Sequence, residues 1–282
     1  MKRIALINDL SGFGKCSLAA AIPVISVMGI QACPLPTAVL SSQTEFDSYY
    51  CHDLTHEMDM ITNEWKKLET SFDGIYSGYL ATPLQIEKMI YFLNQFQSDG
   101  TLYLADPVMG DRGFTYDMFN EEFLAKMKEL TVRADVITPN LTEACLLADV
   151  DYKELITHRQ DQDYLQRIVD MCHVLRKKAE GSQIVVVTGV IREKSGREYI
   201  GNLAVTEDGY VYHEDLYTGK GFSGTGDLFA SVICASLVNG LSIDEACRKA
   251  MYFLQDAIKE ASDAGMPAVH GVRFEKYLSR LF

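Results

Sequence analysis

Asp227 follows Gly224-Thr225-Gly226 where a loop becomes a helix. Phe229, Val232, Ile233 and Leu237 come next at helical spacing and give that helix a buried face. The first turn of a helix presents N–H groups without intrahelical partners and the positive end of a dipole worth about half a charge. Glycines on both sides of Thr225 let an anion approach the backbone closely. An acid in that turn either takes a proton from a group beside the bound anion or caps the helix start. Both readings stay open for Asp227 at this level.

Three further groups carry chemistry. Asp106-Pro107-Val108-Met109-Gly110-Asp111 closes a short apolar strand with two carboxylates in a loop. Taken as lacking a nearby Lys or Arg, Asp106 and Asp111 suit a hard cation such as magnesium, or else cap turns. Asn140-Leu141-Thr142-Glu143 reads as a helix N-cap with a reciprocal Glu at the third position. As chemistry, Asn140 and Glu143 reach a metal-bound phosphate or its water shell. Thr188-Gly189 ends a strand and either donates to a phosphate or turns the chain. Together these are the parts of phosphoryl transfer from a nucleotide to an alcohol: an anion cradle at Gly224–Gly226, acids to hold magnesium, and Asp227 to accept the hydroxyl proton.

Two other glycine patterns are decoys. Gly219-Lys220-Gly221-Phe222-Ser223-Gly224 matches G-x-G-x-x-G, but only helices follow it, so it does not open a dinucleotide-binding βαβ unit. In Gly12-Phe13-Gly14-Lys15-Cys16, Asp9 takes the place of the first P-loop glycine. Cys16 takes that of the magnesium-binding Ser or Thr.

The elements that must position these groups alternate. Strands are expected at 4–7, 74–78, 102–105, 136–138 and 184–187, and helices at 17–28, 56–68, 83–96, 121–130 and 164–178. Residues 32–40 read as an edge or irregular strand because of Pro34 and Pro36. Glu207-Asp208-Gly209 joins 197–205 to 210–216 as a hairpin, and two helices close the chain, the second opened by a capping box at Ser242. This is an α/β fold with a mostly parallel central sheet and an antiparallel hairpin. The polar loops fall at the carboxyl ends of the strands, where such sheets bind ligands.

With 282 residues and 48% hydrophobic composition, one domain over 1–282 with a filled core is expected. A net charge of −13 without a basic patch argues against nucleic acid. The seven cysteines show no C-x-x-C spacing, so neither a zinc site nor a disulfide framework is indicated, and a reducing, cytoplasmic setting is expected. No apolar run approaches membrane-spanning length, and the chain enters its first strand without an apolar leader. No membrane partner is expected.

Gly-Thr-Gly-Asp at 224–227, Asp-Pro-Val-Met-Gly-Asp at 106–111 and Thr-Pro-Asn-Leu-Thr-Glu at 138–143 resemble the ribokinase superfamily, and within it the vitamin B6 (pyridoxal/pyridoxamine) kinases. Residues 8–14 and 76–80 resemble the same branch. The resemblance covers nearly the whole chain and implies a single-domain, three-layer ribokinase-like sandwich. It implies an ATP- and magnesium-dependent kinase acting on the hydroxymethyl group of pyridoxal, pyridoxine or pyridoxamine, and a homodimer, as is typical of the family. Carried onto this chain, it makes Asp227 the base and Gly224, Thr225 and Gly226 the anion hole. It turns Asp111, Tyr116, Asn140, Glu143 and Thr188 toward ATP, and Asp106, Asp111 and Glu143 toward magnesium. Asp9, Thr44 and Tyr79 would line the substrate pocket. From their polar loop composition, segments 41–52 and 110–118 are expected to close over bound ligands and exclude water.

The family commonly carries Ser-Asn-His-Thr where this chain has Ser41-Ser42-Gln43-Thr44, and serine in place of Asp9. An acid there resembles the hydroxymethylpyrimidine kinases, so a pyrimidine alcohol is the alternative substrate. Gln43 would serve either ring. A non-catalytic vitamin-binding protein is the alternative of another class, and Asp227 and both acidic motifs argue against it.

Overall fold

The computed structural model describes residues 1–116 and 119–282. Asp117 and Met118, the end of segment 110–118, lie outside the described residues. Two compact units emerge: Met1–Leu104 with Thr218–Phe282, and Ala105–Tyr217. The strands are mostly parallel with antiparallel additions, in the α/β architecture expected.

In the first unit the order is β1 (Arg3–Ser11), α1 (Ser17–Val27), β2 (Gln31–Leu40), β3 (Cys51–Asp53), α2 (Thr55–Lys67), β4 (Gly74–Ser77), α3 (Pro83–Phe96) and β5 (Leu102–Ala105). Its strands run β5-β4-β1-β2-β3. β1 is parallel to both β4 and β2, and Ile4 to Ile7 are completely buried, as a strand covered on both faces requires. Residues 32–40 are an edge strand only along their first part, and their pairing with β1 is irregular, as expected. β3 pairs antiparallel with β2, but only along Ala38–Leu40. Pro34 and Pro36 precede that stretch, where a missing N–H breaks no ladder with β3. β3 has three exposed residues and no apolar alternation, so nothing in its sequence announces it. The β1–β2 register shifts between Asn8 and Leu10, an irregularity of the kind that re-aims side chains next to sites.

The second unit contains β6 (Gly110–Asp111), β7 (Phe114–Thr115), α4 (Glu121–Thr131), β8 (Val136–Ile137), α5 (Leu141–Ala148), α6 (Tyr152–Thr157), α7 (Tyr164–Lys178), β9 (Ile184–Lys194), β10 (Arg197–Val205) and β11 (Tyr210–Leu216). Here one expectation is corrected. The strand expected at 184–187 does not end at Thr188-Gly189. β9 continues to Lys194 and pairs antiparallel with β10, with a register shift between Gly201 and Leu203. Gly189 sits at φ +70°, a left-handed conformation that glycine adopts freely, so the chain bends there without leaving the strand. β9, β10 and β11 therefore form a meander rather than a lone hairpin. The loop expected at 106–116 holds the small β6–β7 ribbon.

The chain returns to the first unit with α8 (Thr225–Val238) and α9 (Ile243–Asp263). α8 starts and stops, and α9 starts, as read from sequence: α8 gives way at Asn239-Gly240, with Gly240 at φ +90°, and α9 opens with the Ser242–Glu245 capping box. α1, α8 and α9 pack together, as do α2 and α3. Beneath α2 and α3, Trp65, Phe72, Phe92 and Phe96 form an aromatic cluster with ring centroids 4.7–6.1 Å apart. Phe92 is 1% exposed at its centre. Phe92→Ala is expected to cost about 3–5 kcal/mol and lower the melting temperature by roughly 10 °C without touching the site. A thermal scan showing a shift of under about 2 °C would place the stability of this unit elsewhere.

Candidate active site

In the first unit the site is built on the start of α8. Gly224 is its N-cap at φ +79°, and a Cβ there would stand 1.8 Å from the Lys15 carbonyl oxygen, so only glycine lets the loop after β1 pass this close. A Cβ at Gly226 meets nothing within 4 Å, which leaves room for a ligand above the first turn. Thr225 Oγ1 donates to the Phe222 carbonyl (2.9 Å) and closes the turn.

Asp227 does not cap its own helix; among the described residues no side chain makes an N-cap hydrogen bond to α8. Its Oδ1 accepts from Asn8 Nδ2 at 3.2 Å, and its carboxylate also accepts from the Ser17 backbone N–H. Burial is the main cause that pushes Asp227 up to about 6, reinforced by the charge of Asp9 and opposed by the two donors. Asp9 is 4% exposed, accepts from Ser11 Oγ at 2.7 Å and from the Ser17 side chain, and is itself raised by burial. Both acids act on Cys16, whose thiol is pushed up to about 12 by burial and then by the charges of Asp227 and Asp9. Ser17 holds φ +52°, a left-handed conformation unusual for serine, as the first residue of α1. Nothing in the sequence marked Ser17, because strain is not written in residue type.

The proposed pocket residues divide. Asp9 stands in this network, and the Tyr79 N–H donates to Asn8 Oδ1 (2.9 Å). Thr44 is exposed on the loop after β2. Gln43 differs from expectation. Its amide nitrogen donates to the Val269 carbonyl (3.0 Å) and to Ser223 Oγ (3.4 Å), its backbone N–H to the Phe13 carbonyl (2.9 Å), and its Oε1 accepts from the Glu45 N–H (3.0 Å). At 6% exposed, Gln43 ties the loops together and has its amide committed to protein partners.

In the second unit Asn140 and Glu143 form the capping box of α5, as the structural reading had it. Glu143 Oε2 accepts from the Asn140 N–H (2.8 Å) and Oε1 from the Met109 N–H (3.0 Å), while Asn140 Nδ2 donates to the Gly110 carbonyl (2.7 Å). The cap therefore also fastens the 106–111 loop. Burial, and then the charge of Asp106, hold Glu143 well above the usual carboxylate range. Thr188 donates its backbone N–H to the Pro139 carbonyl (2.9 Å) and bridges to Asn140. Tyr116 is 41% exposed with its ring 6.2 Å from that of Phe119.

Asp111 has a cation beside it after all: Arg112 Nε lies 3.6 Å from Oδ2, and the Arg112 N–H donates to Oδ1. Among the described residues no three His, Cys, Asp or Glu side chains gather as a metal cluster. Asp106 and Glu143 do pair, and a buried carboxyl raised by burial and by the charge of a neighbouring acid suits a divalent cation whose other ligands are phosphate and water.

The phosphomethylpyrimidine kinase family matches residues 14–271. The chain belongs to this family. The crystal structure of a candidate phosphomethylpyrimidine kinase from Bacteroides thetaiotaomicron is 39% identical and superposes with a TM-score of 0.91 over 99% of this chain and 93% of that one. A second crystal form, with pyridoxal, gives 38% identity and a TM-score of 0.88 over 99% and 95%. The pyridoxal kinase of Lactobacillus plantarum shares the fold with a TM-score of 0.87 at 26% identity, over 100% of this chain and 96% of that one. The pyridoxal kinase PdxY of Aliivibrio fischeri is 26% identical over 94% of this chain and 91% of its own length. Among the described residues no helix is long and apolar enough to cross a membrane.

Gly224→Ala is expected to lower kcat by about 100-fold or more, because both its left-handed φ and the Lys15 carbonyl oppose a side chain there. Steady-state turnover at wild-type level would show that this turn does not set the rate.

Proposed function

We propose that this protein is an ATP- and magnesium-dependent kinase that phosphorylates the 5-hydroxymethyl group of pyridoxal, pyridoxine or pyridoxamine. The observation that carries the chemistry is the Asp227 carboxylate, turned away from its own helix, beside Gly224–Gly226 and raised to about 6. The pyridoxal-containing crystal form of the 38% identical relative supports the substrate class.

In this reading Asp227 accepts the hydroxyl proton as the alcohol oxygen bonds to the γ-phosphorus of ATP and the bond to ADP breaks. Backbone N–H groups at 224–226 stabilise the charge on the transferring oxygens. A general base must be ionised, and a pKa of about 6 leaves Asp227 mostly so at neutral pH while keeping it basic enough to take the proton. Asp9, Thr44 and Tyr79 contact the substrate ring. Asp111, Tyr116, Asn140, Glu143 and Thr188 serve the nucleotide, with Asp106, Asp111 and Glu143 turned toward its magnesium. When bound, magnesium neutralises phosphate charge. The reading extends to a single functional domain over 1–282 acting in the cytoplasm as a homodimer, supported by the family resemblance and the length of the match.

The second reading, a hydroxymethylpyrimidine as acceptor, is favoured by the buried acid at Asp9. Release of ADP from MgATP is to be measured side by side on pyridoxal, pyridoxine, pyridoxamine and hydroxymethylpyrimidine. Turnover on the three pyridines, lost on chelating magnesium, is expected. A hundredfold higher kcat/KM on the pyrimidine, about 2.7 kcal/mol of discrimination, would reassign the substrate. Asp227→Asn is expected to reduce kcat by about 100-fold or more with pyridoxal binding kept within a few-fold. Undiminished turnover would remove Asp227 from the role of base. Binding of pyridoxal without turnover on any of the four would favour a vitamin-binding protein.

A further inference from the structure

Asn8 is 1% exposed near the carboxyl end of β1, and each side of its amide is engaged. Nδ2 donates to Asp227 Oδ1 at 3.2 Å. Oδ1 accepts from the Asp9 N–H at 2.9 Å and from the Tyr79 N–H at 2.9 Å. One side chain thus spans β1, the turn after β4 and the first turn of α8. The turn after β4 makes room for it. A Cβ on Gly78 would stand 2.2 Å from Asn8 Nδ2 and 2.7 Å from its Cγ, and Gly78 does not hold a left-handed φ. Its backbone would accept alanine; only the Asn8 amide excludes one.

We propose that Asn8 is the positioning residue of the base, holding the Asp227 carboxylate through its Nδ2, and that residue 78 is glycine to leave that amide in place. The inference rests on the reading of Asp227 as the base. A carboxylate on a two-torsion side chain keeps one orientation only if donors select it, and Asn8 supplies the side-chain donor that the described structure gives Asp227. The same bond favours the ionised form, so removing it moves the base toward protonation. The titratable groups that act on Asp227 among the described residues are Asp9 from β1 and Cys16 at the entry to α1. Cys16 stays a thiol over the working range, and Asp9 acts with the opposite sign to Asn8.

Three variants separate positioning from support. Asn8→Asp keeps an acceptor for the Asp9 and Tyr79 N–H groups but, ionised, gives Asp227 no donor. Asn8→Ala removes both functions. Gly78→Ala leaves residue 8 unaltered and crowds its Nδ2. For Asn8→Asp and Gly78→Ala the expected result is a folded enzyme with KM for pyridoxal within about threefold of wild type and kcat lower by about tenfold or more. The pH of half-maximal kcat/KM is expected to rise by about one unit. Asp9→Asn should move that pH the other way. A carboxylate introduced at position 8 repels Asp227 whatever the role of Asn8, as Asp9 does, so the deciding arm is Gly78→Ala: a purely supporting role for Asn8 predicts wild-type kcat and midpoint there, and that result overturns the inference. Should Asn8→Asp fail to fold, Gly78→Ala decides alone. An active Asp227→Asn brings down the reading of the base itself. An inert Asp227→Asn beside an unperturbed Gly78→Ala brings down only the role given to Asn8.

Discussion

A carboxylate that serves as a base near neutral pH must be taken partly out of water and still be held by donors. Asp227 meets both conditions. Burial and the neighbouring acid Asp9 raise it to about 6, while Asn8 and the Ser17 N–H keep it from rising further. A carboxyl whose pKa climbs from 3.8 to about 6 on folding opposes folding. The penalty is absent below the unfolded value, grows as the pH rises between the two, and is complete above about 6. It amounts to on the order of 3 kcal/mol. The left-handed Ser17 adds a smaller cost of the same kind. Both sit where α1 and α8 pack together, so the helix core of this unit supports a local arrangement that is unfavourable on its own.

The second unit repeats the theme with a different outcome. Asp106 and Glu143 repel each other out of reach of bulk water, and the N–H groups of Met109 and Asn140 offset only part of that cost. The capping box that starts α5 is also the tie that fixes the 106–111 loop through Gly110. Structure and candidate function here are one set of hydrogen bonds, and the choice between them posed by the sequence was never exclusive.

The parts legible in sequence are those written in local chemistry. Glycines flanking Thr225, the apolar stripe of α8, the break at Asn239-Gly240 and the box at Ser242 each specify backbone through their own residue types. What stayed hidden depends on which partner each segment or side chain finds, near or far along the chain. β3 exists because residues 51–53 find Ala38–Leu40, and β9 runs past Thr188 because β10 offers it a ladder. Arg112 turns back on Asp111 through a bend that the motif does not announce. Gln43, read as a ring contact, is spent on Val269 and Ser223, more than 170 residues away. Asn8 and Gly78 were visible as polar loop residues at strand ends and as letters of a resemblance, and their mutual fit needed coordinates.

The central claim is that Asp227 takes the proton. It is tested most directly by kcat/KM for pyridoxal from about pH 5 to about pH 8 in the wild type and in Asp227→Asn, since the substrate's own titration is common to both. An acid limb with its midpoint near 6 in the wild type, missing from the residual activity of Asp227→Asn, is the result predicted. The same limb in both proteins, or a flat wild-type profile, would contradict it.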